Sequence, residues 1–249
     1  MSNFSWLWEW PTLIPELLPG VGSALLITVA ACGLGYPIGF LLALLADSKN
    51  ALAKWGSIVY VELGRGIPIL VLLYLVYRGL PQLDMLVDAI PSAMLALTIS
   101  ASAYSAEMIR ASIAAVPKGQ FDASDALGLT RADAFRFVVI PQAARISLPP
   151  LVTLTITMFH VTSLASLITV AEIMHDAFII GSVTFQYMTA YTAAAVVYAA
   201  IAIPGAIFAG WLEKKLGDKS RVPKRNKFRS RRPVQTPGTT SIPQTSSTH

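Results

Sequence analysis

Glu107 and Arg110 stand three residues apart, and so do Glu62 and Arg65. On a helix that spacing puts both members of a pair on one face, close enough for an ion pair. Glu107 and Arg110 can anchor the segment that follows them or take part in gating. Glu62 and Arg65 can pair with each other or brace a neighbouring subunit. Between positions 153 and 169 the chain is rich in hydroxyls. At about 100° per residue, Thr155, Thr162, Ser166 and Thr169 fall within about 60° of one another on a helix. Thr153, Thr157 and His160 form a second patch nearly opposite. One patch can line a polar pathway while the other faces a neighbouring helix; alternatively the hydroxyls bond only their own backbone, as Ser and Thr do in lipid. No Ser–His–Asp or Cys–His grouping supports catalysis, and no His/Cys cluster supports a metal site. No Gly-x-x-x-x-Gly-Lys-Ser/Thr loop is present to cradle a nucleotide phosphate. The chain is not expected to be an enzyme, and no cofactor is expected.

The elements that position these residues are membrane helices. Of 249 residues 54% are hydrophobic and only 13% charged, against about 25% charged in soluble domains. Windows 17–46, 89–106, 146–171 and 177–212 hold no Asp, Glu, Lys or Arg. A bilayer core needs about 20 apolar residues per helix, whereas a soluble core helix keeps a polar face. Barrel strands alternate over about ten residues, and these windows are apolar on every face. The composition therefore predicts an all-α polytopic membrane protein. Five spans are expected, at about 21–46, 57–77, 89–108, 150–171 and 187–212. Gly35, Gly39 and Ala43 recur every four residues in the first, a stripe that lets another helix come close. Pro68 predicts a kink in the second. Cys32, alone in the sequence, reads as a small packing residue.

Orientation follows from the basic residues. Seventeen of the 19 Lys and Arg lie in the connections after spans one and three and in the C-terminal tail. This predicts the N-terminus outside and the C-terminus inside. Residues 1–19, with Trp6, Trp8 and Trp10 suited to the membrane–water interface, form an extracytoplasmic interfacial segment. Residues 20–216 form the transmembrane domain. Residues 217–249 are basic, then rich in Pro, Thr, Ser and Gln. They read as a disordered tail whose charge favours orientation and anionic lipid rather than nucleic acid.

The connection at 109–149 is long enough to have structure of its own. Pro117-Lys118-Gly119 makes a turn. Residues 120–127 read as a short helix ended by Gly128. Thr130-Arg131-Ala132-Asp133 caps a second short helix that Pro141 stops.

Asp122-Ala123-Ser124, then Gly128, then Val138-Val139-Ile140-Pro141 resemble the Glu-Ala-Ala loop of permease subunits of bacterial ABC importers, with three residues before the Gly and nine after it. Further stretches resemble the polar amino-acid uptake branch (histidine, glutamine and arginine permeases). These are Glu62-Leu-Gly-Arg-Gly-Ile-Pro, Ala103-Tyr-Ser-Ala-Glu107-Met-Ile-Arg-Ala, Pro141-Gln-Ala, Leu148-Pro-Pro and Thr162-Ser-Leu-Ala-Ser-Leu. Asp122 shortens the family's carboxylate by one methylene. His160-Val161 stands where many relatives carry a Lys-Asp pair. The resemblance spans about 20–216.

It implies a type I ABC importer permease fold in the bacterial inner membrane, moving a polar amino acid or close analogue inward. The implied partners are an ABC ATPase dimer, a second permease subunit (the same chain or a paralogue) and an extracytoplasmic solute-binding protein. Gln120, Asp122, Ala123, Ser124, Gly128 and Pro141 become the coupling loop to the ATPase. Thr155, His160, Thr162, Ser166 and Thr169 become candidates to line the pathway. A secondary transporter or small channel is the rival, but it should show mid-span carboxylates or an internal repeat. Spans one, three, four and five carry no Asp or Glu near their middles.

Overall fold

The computed structural model describes residues 6–217, and within them every regular element is helical. The chain forms α1 (Trp6–Ala46), α2 (Ala51–Gly66), α3 (Ile69–Gly79), α4 (Ala89–Ala114) and α5 (Gly119–Ala126). α6 (Arg131–Asp133), α7 (Ile140–Val161), α8 (Ile173–Thr184) and α9 (Tyr187–Gly217) follow. The expected disorder of the tail beyond Gly217 lies outside the described residues.

Among the described residues, four stretches are long and apolar enough to cross a membrane: 8–46, 89–114, 131–168 and 187–216. A fifth crossing is available if α2 and α3 count as one span, bent by 104° at their junction. The bend sits where the sequence asks for it. Ile67 precedes Pro68 and is forced into extended geometry, with φ −80° and ψ 126°. Asn50 starts α2 by accepting the Leu52 and Ala53 amides.

α1 and α4 are the central pair. The Gly35–Gly39–Ala43 stripe meets the Ala- and Ser-rich face of α4, and a Cβ on Gly39 would sit 2.7 Å from the Ser102 carbonyl oxygen. Small residues are what let two backbones approach this closely, and in lipid that contact is itself the driving force. Ser100, Ser102 and Ser105 are buried in α4. Ser102 meets the Tyr60 hydroxyl at 2.8 Å, tying α2 to the same face. One apolar cluster joins Ile27, Leu73, Leu97 and Ile168. A second joins Leu17, Phe159, Ile173 and Ala194.

Two expectations are corrected, and one element was not foreseen. Pro141 does not stop a helix: 131–168 is one continuous helical stretch. Its Ala134–Val139 segment is π-helical, and the Ile140 amide reaches back to Phe135. That wider turn gives the proline ring room that an α turn denies it. The helix that carries the fourth span therefore begins well before Pro149-Pro150, and the irregular part of the 109–149 connection shrinks to the segments around α5. Residues 6–19 of the expected N-terminal segment are continuous with the first span, because α1 runs unbroken through Pro11, Pro15 and Pro19. Finally, α8 was not expected. It is apolar but only 12 residues long, too short for a span.

Candidate functional site

The candidate coupling element is built around α5. Ser124 is buried and donates to the Gln120 carbonyl at 2.7 Å, while Asp122 and Ala123 are exposed. Gly128 has φ +73°, a conformation that costs glycine little and a β-branched residue much. This lets the Leu129 amide turn back to Ser124 and close the helix end. Two residues on, Thr130 accepts the Asp133 amide at 3.2 Å and donates to the Asp133 carboxylate at 2.6 Å. The loop is fastened to the membrane helix that follows. Gln142 donates through Nε2 to Gln120 Oε1 at 3.1 Å and to the Val138 carbonyl at 3.0 Å. Beneath it Val116, Val139 and Ala143 form a small core with Ile113 and Phe135. Pro141 lies inside the joining helix, so α5 rests on a stiff lever.

A cavity of about 1310 Å³ opens beside this lever, with Gln120, Gln142, Arg145, Thr153, Thr157 and His160 on its wall and Glu213 of α9 opposite. Of the hydroxyl residues, the face with Thr153, Thr157 and His160 is exposed. The other face turns inward as far as Ser166, whereas Thr169 at its end is exposed. Thr155 meets the Tyr36 hydroxyl at 2.7 Å. Thr162 is fully buried and donates to the Phe159 carbonyl. Ser166 is half-buried and donates to the Ser163 carbonyl. Thr169 ends the 3₁₀ segment with φ 66°. Of the five candidate pathway residues, the structure brings only His160 to this cavity.

One of the two charged pairs forms as its spacing suggests, and the other does not. Glu107 and Arg110 form the expected ion pair, with oxygen–nitrogen contacts of 2.6 and 3.1 Å. Arg65 does not pair with Glu62. It points to Glu107 at 3.9 Å and over the Tyr104 ring at 5.9 Å. Glu62 instead lines a second cavity of about 330 Å³ with Asp47, Lys54, Glu107 and Arg110. Among the described residues no three His, Cys, Asp or Glu side chains come together as a metal site requires.

Sequence reasoning missed four polar residues. Gln142 and Arg145 repeat at helical spacing with Pro149, Thr153 and Thr157, and extending the helix through Pro141 would have found them. Glu172 and Tyr198 left no such signal. Glu172 is fully buried and accepts hydrogen bonds from the His175 amide and the Tyr198 hydroxyl. Burial pushes its carboxyl above the ordinary carboxylate range, and the Tyr198 hydroxyl and α8 amides oppose this.

Residues 35–218 match the family described as the binding-protein-dependent transport system inner membrane component. The probable amino-acid ABC transporter permease YckA of Bacillus subtilis is 38% identical over 201 residues, covering 81% of this chain and 89% of that protein. The glutamine transport permease GlnP of Escherichia coli is 32% identical over 216 residues, covering 86% and 98%. A crystal structure of an amino acid ABC transporter solved with histidines is 34% identical, with a TM-score of 0.79, over 86% of this chain and 99% of that one. The methionine ABC transporter MetNI, at 20% identity and a TM-score of 0.65, shares the fold. In this family the permease is non-catalytic and a partner ATPase hydrolyses ATP. The chain belongs to this family of inner-membrane components of binding-protein-dependent ABC importers, as a multi-pass permease subunit of the bacterial inner membrane.

Proposed function

We propose that this permease imports a polar amino acid or a close analogue, driven by an ABC ATPase dimer that grips α5. A second permease subunit, the same chain or a paralogue, completes the pathway, and an extracytoplasmic binding protein delivers the cargo. The N-terminus faces out and the C-terminus faces in. The observation that carries this reading is the physical continuity from α5 to the cavity. The Gln120–Gln142 hydrogen bond and the Val116–Val139–Ala143 core fix α5 to a helix. The same helical stretch presents Thr153, Thr157 and His160 to the cavity. A displacement of α5 by the ATPase therefore moves the cavity wall.

The cavity suits a polar cargo. Arg145 and Glu213 at its inner end offer opposite charges to a carboxylate and an ammonium group. Thr153 and Thr157 spend their protons on the Pro149 and Thr153 carbonyls, which leaves their oxygens free to accept. The test is on α5. Gly128→Val strains the loop end by about 1–3 kcal/mol and displaces Asp122, whereas Asp122→Lys reverses the charge shown to the ATPase. Both are expected to insert normally but to lose co-purifying ATPase, cargo-stimulated ATP hydrolysis and uptake, while Asp122→Glu keeps all three. Wild-type ATPase binding and transport in both altered chains would remove the coupling role.

A further inference from the structure

Glu172 belongs neither to the cavity wall nor to the coupling element, yet it is fully buried at the N-terminus of α8. Isolated carboxylates are expensive to bury, and they persist where partners are well placed. Here Oε1 accepts the His175 amide at 2.9 Å and Oε2 accepts the Tyr198 hydroxyl from α9. α1 presses on the same point. A Cβ on Gly20 would lie 2.5 Å from the Ile173 nitrogen and 2.6 Å from the Glu172 carbonyl carbon. Three helices thus meet at Glu172, α1 against its backbone and α9 against its carboxylate.

The two ends of α8 are strained. Thr169 before it and Phe185 after it hold φ of 66° and 59°, left-handed conformations that neither residue favours. Such residues cluster at switching segments, held only by their surroundings. The segment leading into α8, Thr162–Ile168, is a seven-residue 3₁₀ helix. Runs longer than three or four residues are uncommon and often mark hinges. Tyr198 also touches the transport side. Its ring lies 5.4 Å from Phe159 and 6.5 Å edge-on from His160, which faces the cavity.

We propose that Glu172 is a positioning residue that latches α8 as an extracytoplasmic gate, held shut by Tyr198 and the His175 amide and swinging about Thr169 and Phe185 when released. This rests on the permease reading and its topology. Cargo or binding protein acting at the outer end frees α8, and the Tyr198 ring connects that movement to the His160 wall.

The test uses the complete importer in proteoliposomes, in a Cys32→Ala background with Ala177→Cys as a probe. Ala177 sits on the buried face of α8 itself, packed into the apolar cluster with Leu17 and Phe159. A membrane-impermeant maleimide added outside reads whether α8 has lifted. Tyr198→Phe and Glu172→Gln are each expected to speed labelling by about tenfold, the shift that loss of a buried hydrogen bond to a charged acceptor gives. ATP hydrolysis without binding protein should rise and uptake per ATP should fall, with permease abundance and ATPase association unchanged. Ala93→Cys, buried in the other cluster, should stay unreactive. Unchanged labelling of Ala177→Cys in the altered chains, beside normal wild-type transport, overturns the latch. An equal rise at Ala93→Cys means general loosening and overturns it too. Tyr198→Phe decides the matter alone if Glu172→Gln fails to accumulate. A wild-type complex that neither binds ATPase nor takes up an amino acid instead sinks the permease reading on which the latch rests.

Discussion

Gln142 holds one side of α5 with two hydrogen bonds from a single amide, to Gln120 and to its own helix. Gln142→Leu keeps most of the bulk of the side chain and removes the bond. About 1 kcal/mol of fastening is lost, and uptake per ATP is expected to fall about fivefold, the equivalent factor, while ATPase pull-down stays unchanged. Full coupling in the Leu variant would show that the apolar core beneath α5 is sufficient. The hydroxyl faces of α7 give a second residue-level test. In a Cys32→Ala background, cysteines replacing Thr153, Thr157 or His160 should react with a small aqueous thiol reagent and be slowed by cargo, because these positions face the cavity. A cysteine at Thr162, which is fully buried, should be inert. The opposite pattern would return the pathway to the inward face. The Glu107–Arg110 pair is a weaker lever. Its side chains are 34% and 48% exposed, so solvent screens the pair and Glu107→Gln should cost less than about 1 kcal/mol.

The pairing of α1 with α4 is decided by which glycines meet a neighbour. Gly39 lies against Ser102, Ser105 and Ala106, whereas nothing lies within 4 Å of the place a Cβ would take on Gly33. Gly39→Ala is expected to destabilise the purified permease by about 1–3 kcal/mol, because the backbones must separate. Gly33→Ala is expected to be neutral or to stabilise by up to about 1 kcal/mol, since it only removes backbone freedom from the unfolded chain. Thermal denaturation of the two in the same detergent tests the packing directly. Similar melting temperatures would contradict the close contact. The π turn at Ala134–Val139 belongs to the same scale. It lets Pro141 sit inside a helix that joins α5 to the cavity wall, turning a surface loop into a lever.

Seventeen of nineteen basic residues fall in one set of connections and the tail, a bias that fixes orientation during insertion. Reporter fusions after Asp84 and after Gly128 should therefore give opposite signals, external and cytoplasmic. Identical signals would invert or break the topology, and with it the side on which α5 meets an ATPase. The bent pair α2–α3 is the crossing that this test addresses most directly, because Asp84 follows it. A pair bent by 104° either spans or returns to the side it left, and the Asp84 fusion distinguishes the two.

The long helices and their break were legible in the sequence because their causes are local. A bilayer admits only stretches without charge, and Pro68 forbids helical geometry at Ile67. Gly128 and the Thr130 cap were legible for the same reason: a turn's sterics and a cap's hydrogen bond involve residues three or four apart. The resemblance of the 122–141 stretch added the family, which the matched residues 35–218 show. Which hydroxyl face of α7 is open was not legible. Both faces carry Thr at helical spacing, and only the packing of Tyr36 against Thr155 buries one of them. Spacing left Arg65 to pair with Glu62 or to brace a neighbouring subunit, whereas the fold brings it to Glu107, 42 positions away, because α2 lies against α4. The meeting of Glu172 with Tyr198 has no local signature at all. Twenty-six residues separate them, and only the return of α9 beside α8 brings a hydroxyl to a carboxylate that lipid or an apolar core would otherwise have excluded.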